Sequence, residues 1–118
     1  MGFLDRLRQK PPPAPELDRL ILRQLQSLGA DLTRPRHLLH FLYFADEASA
    51  KLASQAVESA GHEVTLTAPD EKVTQWSVRA EATRVVDHSN VGGFRAQFEQ
   101  VAAEHGGEYD GWEAAAEP

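Results

Sequence analysis

The 118-residue chain contains no cysteine, which removes disulfide frameworks, thiolate zinc sites and cysteine nucleophiles together. It also lacks any apolar run near the roughly 20 residues that a membrane-spanning helix needs. Residues 1–10 (MGFLDRLRQK) hold too few consecutive apolar residues for a signal peptide. These absences predict a soluble, cytoplasmic protein with no membrane partner. Positive charge is the minority: 12 Lys and Arg against 18 Asp and Glu give a formal net charge of -6. That balance repels a phosphate backbone, so direct nucleic-acid binding is disfavoured and a basic protein is the better-matched partner.

The usual chemical signatures are absent as well. No glycine-rich loop runs from a strand into a helix with phosphate-binding spacing, so no nucleotide site is predicted. The five histidines, His37, His40, His62, His88 and His105, form no pair at metal spacing on a helix. His37 and His40 fall on opposite faces if their segment is a strand. Neither a metal nor another cofactor is expected. Asp87-His88-Ser89 contains acid, base and nucleophile types, but sequence neighbours cannot adopt triad geometry, and the run reads as a capping turn.

What is present suits one domain large enough to bury a core unaided. Residues 1–15 read as a basic, proline-rich tail. Phe3, Leu4 and Leu7 have helical spacing, yet the piece is too short to hold a helix and should fray. Pro11, Pro12, Pro13 and Pro15 form a semi-rigid spacer. The folded domain is expected over residues 16–113, with a short tail at 114–118. A first helix over 16–28 carries Leu17, Leu20, Ile21, Leu25 and Leu28, and Gly29 stops it. The run 37–45 (HLLHFLYFA) is apolar on both faces and rich in aromatics, which predicts an interior strand.

Asp46 is the expected N-cap of a second helix, with Ala48, Leu52, Ala56 and Val57 on its buried side and Gly61 at its end. Residues 62–68 alternate as a half-buried strand with Val64 and Leu66 inward. Pro69-Asp70 turns the chain, and the alternation resumes over 72–86 with Trp76, Val78, Ala80 and Ala82 on one side. Val91, Phe94, Phe98, Val101 and Ala102 mark a third helix, whose start is expected a few residues after Gly92-Gly93. A last strand fits the segment that follows. The order predicts an α+β fold, a ferredoxin-like βαββαβ sandwich with an extra N-terminal helix.

That last segment, Gly106-Gly107-Glu108-Tyr109-Asp110-Gly111-Trp112-Glu113, is the most unusual composition in the chain. Glycines permit close approach or positive φ, while Tyr and Trp each join a large apolar body to one polar tip. One reading pins the tail onto the sheet through Tyr109 and Trp112. The other makes Glu108, Tyr109, Asp110, Gly111, Trp112 and Glu113 a partner-binding edge, whose carboxylates and rings suit arginine side chains. A third class, a small hydrolase or metal-dependent enzyme, would need Glu108 or Asp110 in a concave pocket near His40 or His105. No catalytic residue is assigned, because no basic or polar companions mark such a pocket.

Glu108-Tyr109-Asp110-Gly111-Trp112, together with residues 48–64 (ASAKLASQAVESAGHEV) and the helix and turn over 20–31, resembles the family of regulators of ribonuclease E activity B, the ribonuclease E inhibitors RraB. The resemblance covers about residues 16–113, and EYDGW is its most specific part. It implies a small ferredoxin-like domain that is not an enzyme and has no cofactor. It further implies a protein partner, an endoribonuclease such as ribonuclease E, whose RNA cleavage is lowered by protein contact. The chain departs from the family pattern by ending at Glu113-Ala-Ala-Ala-Glu-Pro without a long acidic tail, and by its basic, proline-rich tip. Both imply a weaker attraction to a basic partner and leave room for an interaction module with an unrelated client.

Overall fold

A computed structural model describes residues 14–116. The basic tip and most of the proline spacer expected over 1–15 lie outside the described residues, as does the end of the C-terminal tail. The described elements are helix α1 (Ala14–Ser27), strand β1 (Arg36–Phe44), helix α2 (Glu47–Ser59), strands β2 (Glu63–Thr67) and β3 (Trp76–Arg84), helix α3 (Val91–Glu104) and strand β4 (Glu108–Ala114). The strands form one antiparallel sheet in the order β2-β3-β1-β4. This is the expected α+β, ferredoxin-like arrangement preceded by an extra helix. β1 is interior, as its two-sided apolar run required.

Alternation along β1 turns Leu38, His40, Leu42 and Phe44 toward the helices and His37, Leu39, Phe41 and Tyr43 toward the opposite side. Two apolar clusters form on the helix side. Leu42, Phe44, Val78 and Ala80 pack with Ala50, Ala53 and Val57 of α2 and with Phe98 and Ala102 of α3. Leu38 and Trp112 pack with Leu22 and Leu25 of α1 and with Val86 and Val91. All three helices therefore cover one face, and among the described residues no element covers the other.

Each local departure from the sequence expectation has a physical reason. In α2 the buried residues are Ala50, Ala53, Ser54 and Val57, and Leu52 is 53% exposed. Steps of four, as in Ala48-Leu52-Ala56, overshoot a full turn by about 40° each, whereas 50, 53, 54 and 57 hold one stripe. Ser54 can be buried there because its hydroxyl donates to the Ala50 carbonyl at 2.8 Å. Asp46 is the N-cap expected, accepting from the Ser49 amide at 2.8 Å.

In α1 the buried set is Asp18, Leu22 and Leu25, while Leu17 and Leu20, and Leu28 just past the helix end, are exposed. The helix is rotated because the carboxylate of Asp18 is drawn inward by partners described below. β3 starts at Trp76 rather than near Lys72, since the Asp70 carboxylate accepts the amides of Lys72 and Val73 and holds that stretch as a turn. α3 starts at Val91, ahead of the two glycines. Buried Val91 anchors it, and its amide reaches the Asp87 carbonyl at 3.1 Å. The Asp87 carboxylate accepts from the Ser89 amide and hydroxyl and from the Asn90 amide, the capping turn read from the sequence.

Candidate functional site

Strand β4 is an edge strand, and its pairing with β1 is interrupted once. Leu42 lies opposite Tyr109 and Phe41 lies opposite Gly111, so Asp110 is an extra residue in a β-bulge. Gly111 takes φ +108°, a backbone region that L side chains rarely adopt. The bulge decides which way each side chain faces. In a regular strand Tyr109 and Trp112, three residues apart, would point to opposite faces. With one residue inserted between them, both point to the helices, while Glu108 and Glu113 both point away.

The inward pair is held by a buried polar network. Trp112 is 7% exposed, and its indole Nε1 donates to Asp18 Oδ1 at 2.9 Å. Arg95 of α3 donates to the same carboxylate from Nε at 2.7 Å and Nη2 at 2.8 Å, a two-pronged charged pair. Asp18 is 0% exposed. Burial pushes its carboxyl up, but the bonds from Arg95 and Trp112 and the charge of Arg95 outweigh this and hold it below the usual carboxylate range. The Arg95 guanidinium also lies 5.3 Å from the Tyr109 ring centre, in cation–π range.

Tyr109 extends the network. Its hydroxyl lies 2.8 Å from His40 Nδ1, and burial raises the phenol above its ordinary range. His40 is 2% exposed and stacks on Phe98 with ring centres 3.9 Å apart. Burial, followed by the charges of His62, Arg84 and Arg95, lowers it to about 3, so the ring is neutral at neutral pH. Asp18 and Arg95 are the residues that sequence reading missed. The signal was the spacing Asp18, Leu22, Leu25, which puts an acid in line with an apolar stripe.

The outward side presents Glu108, Asp110 and Glu113, all exposed, beside half-buried Gly111. Glu108 and Asp110 border a depression of about 310 Å³ with Tyr43, Lys72, Val73, Thr74 and Gln75. His40 lies on the far face of the sheet from both carboxylates, so it cannot share a site with them. His37 is on the open face, 2.8 Å from Glu81. Among the described residues no group of three or more His, Asp or Glu could hold a metal ion, and no helix is long and apolar enough to cross a membrane.

Six residues named from the sequence thus occupy one edge strand but divide between its faces. Tyr109 and Trp112 face the core, and Glu108, Asp110 and Glu113 stand free beside Gly111. A family model described as regulator of ribonuclease activity B matches residues 16–114. No curated protein matches the chain.

Proposed function

Because this chain belongs to the regulator of ribonuclease activity B family, we propose that it is a non-catalytic domain that lowers RNA cleavage by binding an endoribonuclease, such as ribonuclease E. The contact runs through the 108–113 segment and the adjoining sheet, in the cytoplasm, with no direct contact to nucleic acid. Glu108, Asp110 and Glu113 meet basic side chains of the partner, and Gly111 lets its backbone approach. Tyr109 and Trp112 take part from behind, by fixing the strand.

The observation that carries this reading is the bulge at Asp110. It turns both aromatics inward and both flanking glutamates outward, so a rigid strand displays carboxylates to the surroundings. A net charge of -6 gives the whole molecule the sign that draws a basic partner.

Cleavage of a labelled RNA by purified ribonuclease E, with rising amounts of the full chain, tests the proposal. Wild type should slow cleavage, and Glu108→Gln/Asp110→Asn/Glu113→Gln should not, while melting at the wild-type temperature. Equal inhibition by the folded triple variant would remove these carboxylates from the contact. Retention of the RNA by the domain alone would contradict action through protein.

A further inference from the structure

We propose that the open face of the sheet, centred on Phe41 and Tyr43 of β1, seats an extended, arginine-bearing segment of a protein partner. The proposal rests on the reading that the domain works by protein contact, and it names the surface and the chemistry of what binds there. A sheet face turned away from the core is ordinarily polar. Here the middle strand sets Leu39, Phe41 and Tyr43 on that face, each only half-buried, and no described element covers them.

The strand registers give the surroundings of this strip. Glu63, Glu81, Leu39 and Glu113 form one row across the four strands. Thr65, Arg79, Phe41 and Gly111 form the next, and Thr67, Ser77, Tyr43 and Glu108 the one after it. Carboxylates therefore stand at both ends of an apolar strip. From Leu39 to Tyr43 is about 13 Å at strand rise, the span of about four extended residues. The side chains of Phe41, Tyr43, Val73 and Arg79 edge a groove of about 250 Å³ on this face. Gly111, beside Phe41, contributes no side chain to obstruct the ring.

Charge selects the occupant. Glu63 and Glu81 face each other directly across β2 and β3, and like charges so placed are destabilising. His37 meets Glu81 at 2.8 Å, but no described side chain forms an ion pair with Glu63, Glu108, Asp110 or Glu113. An arriving guanidinium can lie over a ring face while its N–H fork pairs with a carboxylate, which an ammonium does less well. Bases also stack on such rings, yet their phosphates would meet the same carboxylates. Arg79, in the middle row, and Lys72, at the border, disfavour an unbroken run of basic residues. They fit arginines spaced about four residues apart, with neutral residues between.

Fluorescence anisotropy with the full chain tests the surface. The probes are a labelled synthetic peptide with two arginines separated by three neutral residues, so that both face the same side of an extended chain, its lysine and glutamate versions, and a labelled single-stranded RNA octamer. The arginine peptide should bind best and weaken with salt, while the glutamate peptide and the RNA should not bind. Tyr43→Ser and the pair Glu81→Gln/Glu113→Gln should each weaken arginine-peptide binding about tenfold, with circular dichroism melts confirming the fold. Wild-type binding by these folded variants, or RNA bound through Tyr43, would overturn the proposal. The ribonuclease assay separates the two readings. Inhibition that survives Tyr43→Ser sinks this surface alone. Arginine-peptide binding through Tyr43 without any inhibition sinks the ribonuclease reading alone.

Discussion

Replacing Asp18 by alanine strikes the joint between α1, α3 and β4. The carboxylate is wholly buried and accepts three bonds, from Arg95 Nε and Nη2 and from Trp112 Nε1, at 2.7, 2.8 and 2.9 Å. Its loss leaves the Arg95 side chain, 13% exposed, with the surface carboxylate of Glu99 at 3.2 Å as its remaining ion-pair partner among the described residues, beside the Tyr109 ring. Removing one partner of a buried charged pair costs about 3–5 kcal/mol. That is a fifth or more of the stability typical of a domain, about 5–15 kcal/mol. An exposed control pair, Glu47 and Lys51 at 3.6 Å, should cost about 0.5 kcal/mol or less on Glu47→Ala. Urea unfolding followed by circular dichroism measures both. Asp18→Leu with Arg95→Met should recover the part of the loss that comes from the unpaired guanidinium, leaving about 1–3 kcal/mol for the buried Trp112 indole N–H that has lost its acceptor. Because the native carboxyl titrates below the ordinary aspartate value of 3.8, its contribution is present above that value and fades as pH falls through the native value. The deficit of Asp18→Ala should therefore persist from pH 7 to pH 4. A cost under about 1 kcal/mol, or a double variant as damaged as the sum of the singles, would refute the reasoning.

Buried His40 makes the fold sensitive to acid. Its native value of about 3 lies below the ordinary histidine value of 6.5, so stability is complete above 6.5 and declines toward 3 as the unfolded chain takes up the proton. The slope from His40 is about 1.4 kcal/mol per pH unit, and His62, also lowered by burial, adds the same sign. His40→Gln should flatten the profile between pH 6.5 and 4.5, and an unchanged slope would count against this assignment. Gly107→Ala should destabilise by about 2–3 kcal/mol or prevent folding, because its Cβ would collide with the Phe44 ring and the Tyr43 carbonyl. Thermal melting reads that directly, and a wild-type melt would mean β4 docks differently. Gly111→Ala faces open space but a positive φ, so it should cost about 1–2 kcal/mol from backbone strain alone. A neutral result in urea unfolding would question the bulge.

The elements were legible where the local pattern was strong. The run over 37–45 is apolar on both faces, which only an interior strand tolerates, and β1 is interior. The glycine and aromatic content of 106–113 pointed to a segment placed with accuracy, and Gly107 and Gly111 are where the backbone requires glycine. The bulge itself was not legible, because nothing in Glu-Tyr-Asp-Gly-Trp-Glu says which residue is unpaired until β1 lies alongside. The burial of Asp18 was not legible either. Its partners are 77 and 94 residues away in sequence, and an acid in a helix reads as a solvated position unless a distant cation is brought to it. In α2 the small residues at 50, 53 and 54 carry little hydropathy, so Leu52 dominated the pattern while the close-packed stripe lay beside it.

The two faces of the sheet handle charge in opposite ways, and the contrast bears on why the outer carboxylates are where they are. Toward the helices, the charge of Asp18 is met by a forked guanidinium and an indole, so burial is compensated and the strand is locked. Toward the open side, Glu63 opposes Glu81, while Glu108 beside Tyr43 and Glu113 beside Leu39 form no ion pair among the described residues. Apart from the contact of His37 with Glu81, that outer arrangement disfavours the isolated fold, since opposed glutamates weaken a strand pair and half-buried aromatics leave apolar surface in water. Neutralising Glu63, which has no ion pair among the described residues, should then leave stability unchanged or slightly raised, by about 0.2–1 kcal/mol. An interior carboxylate would do the reverse. Positive charge brought from outside relieves both defects at once, and on the proposed reading that relief is part of the affinity for the partner.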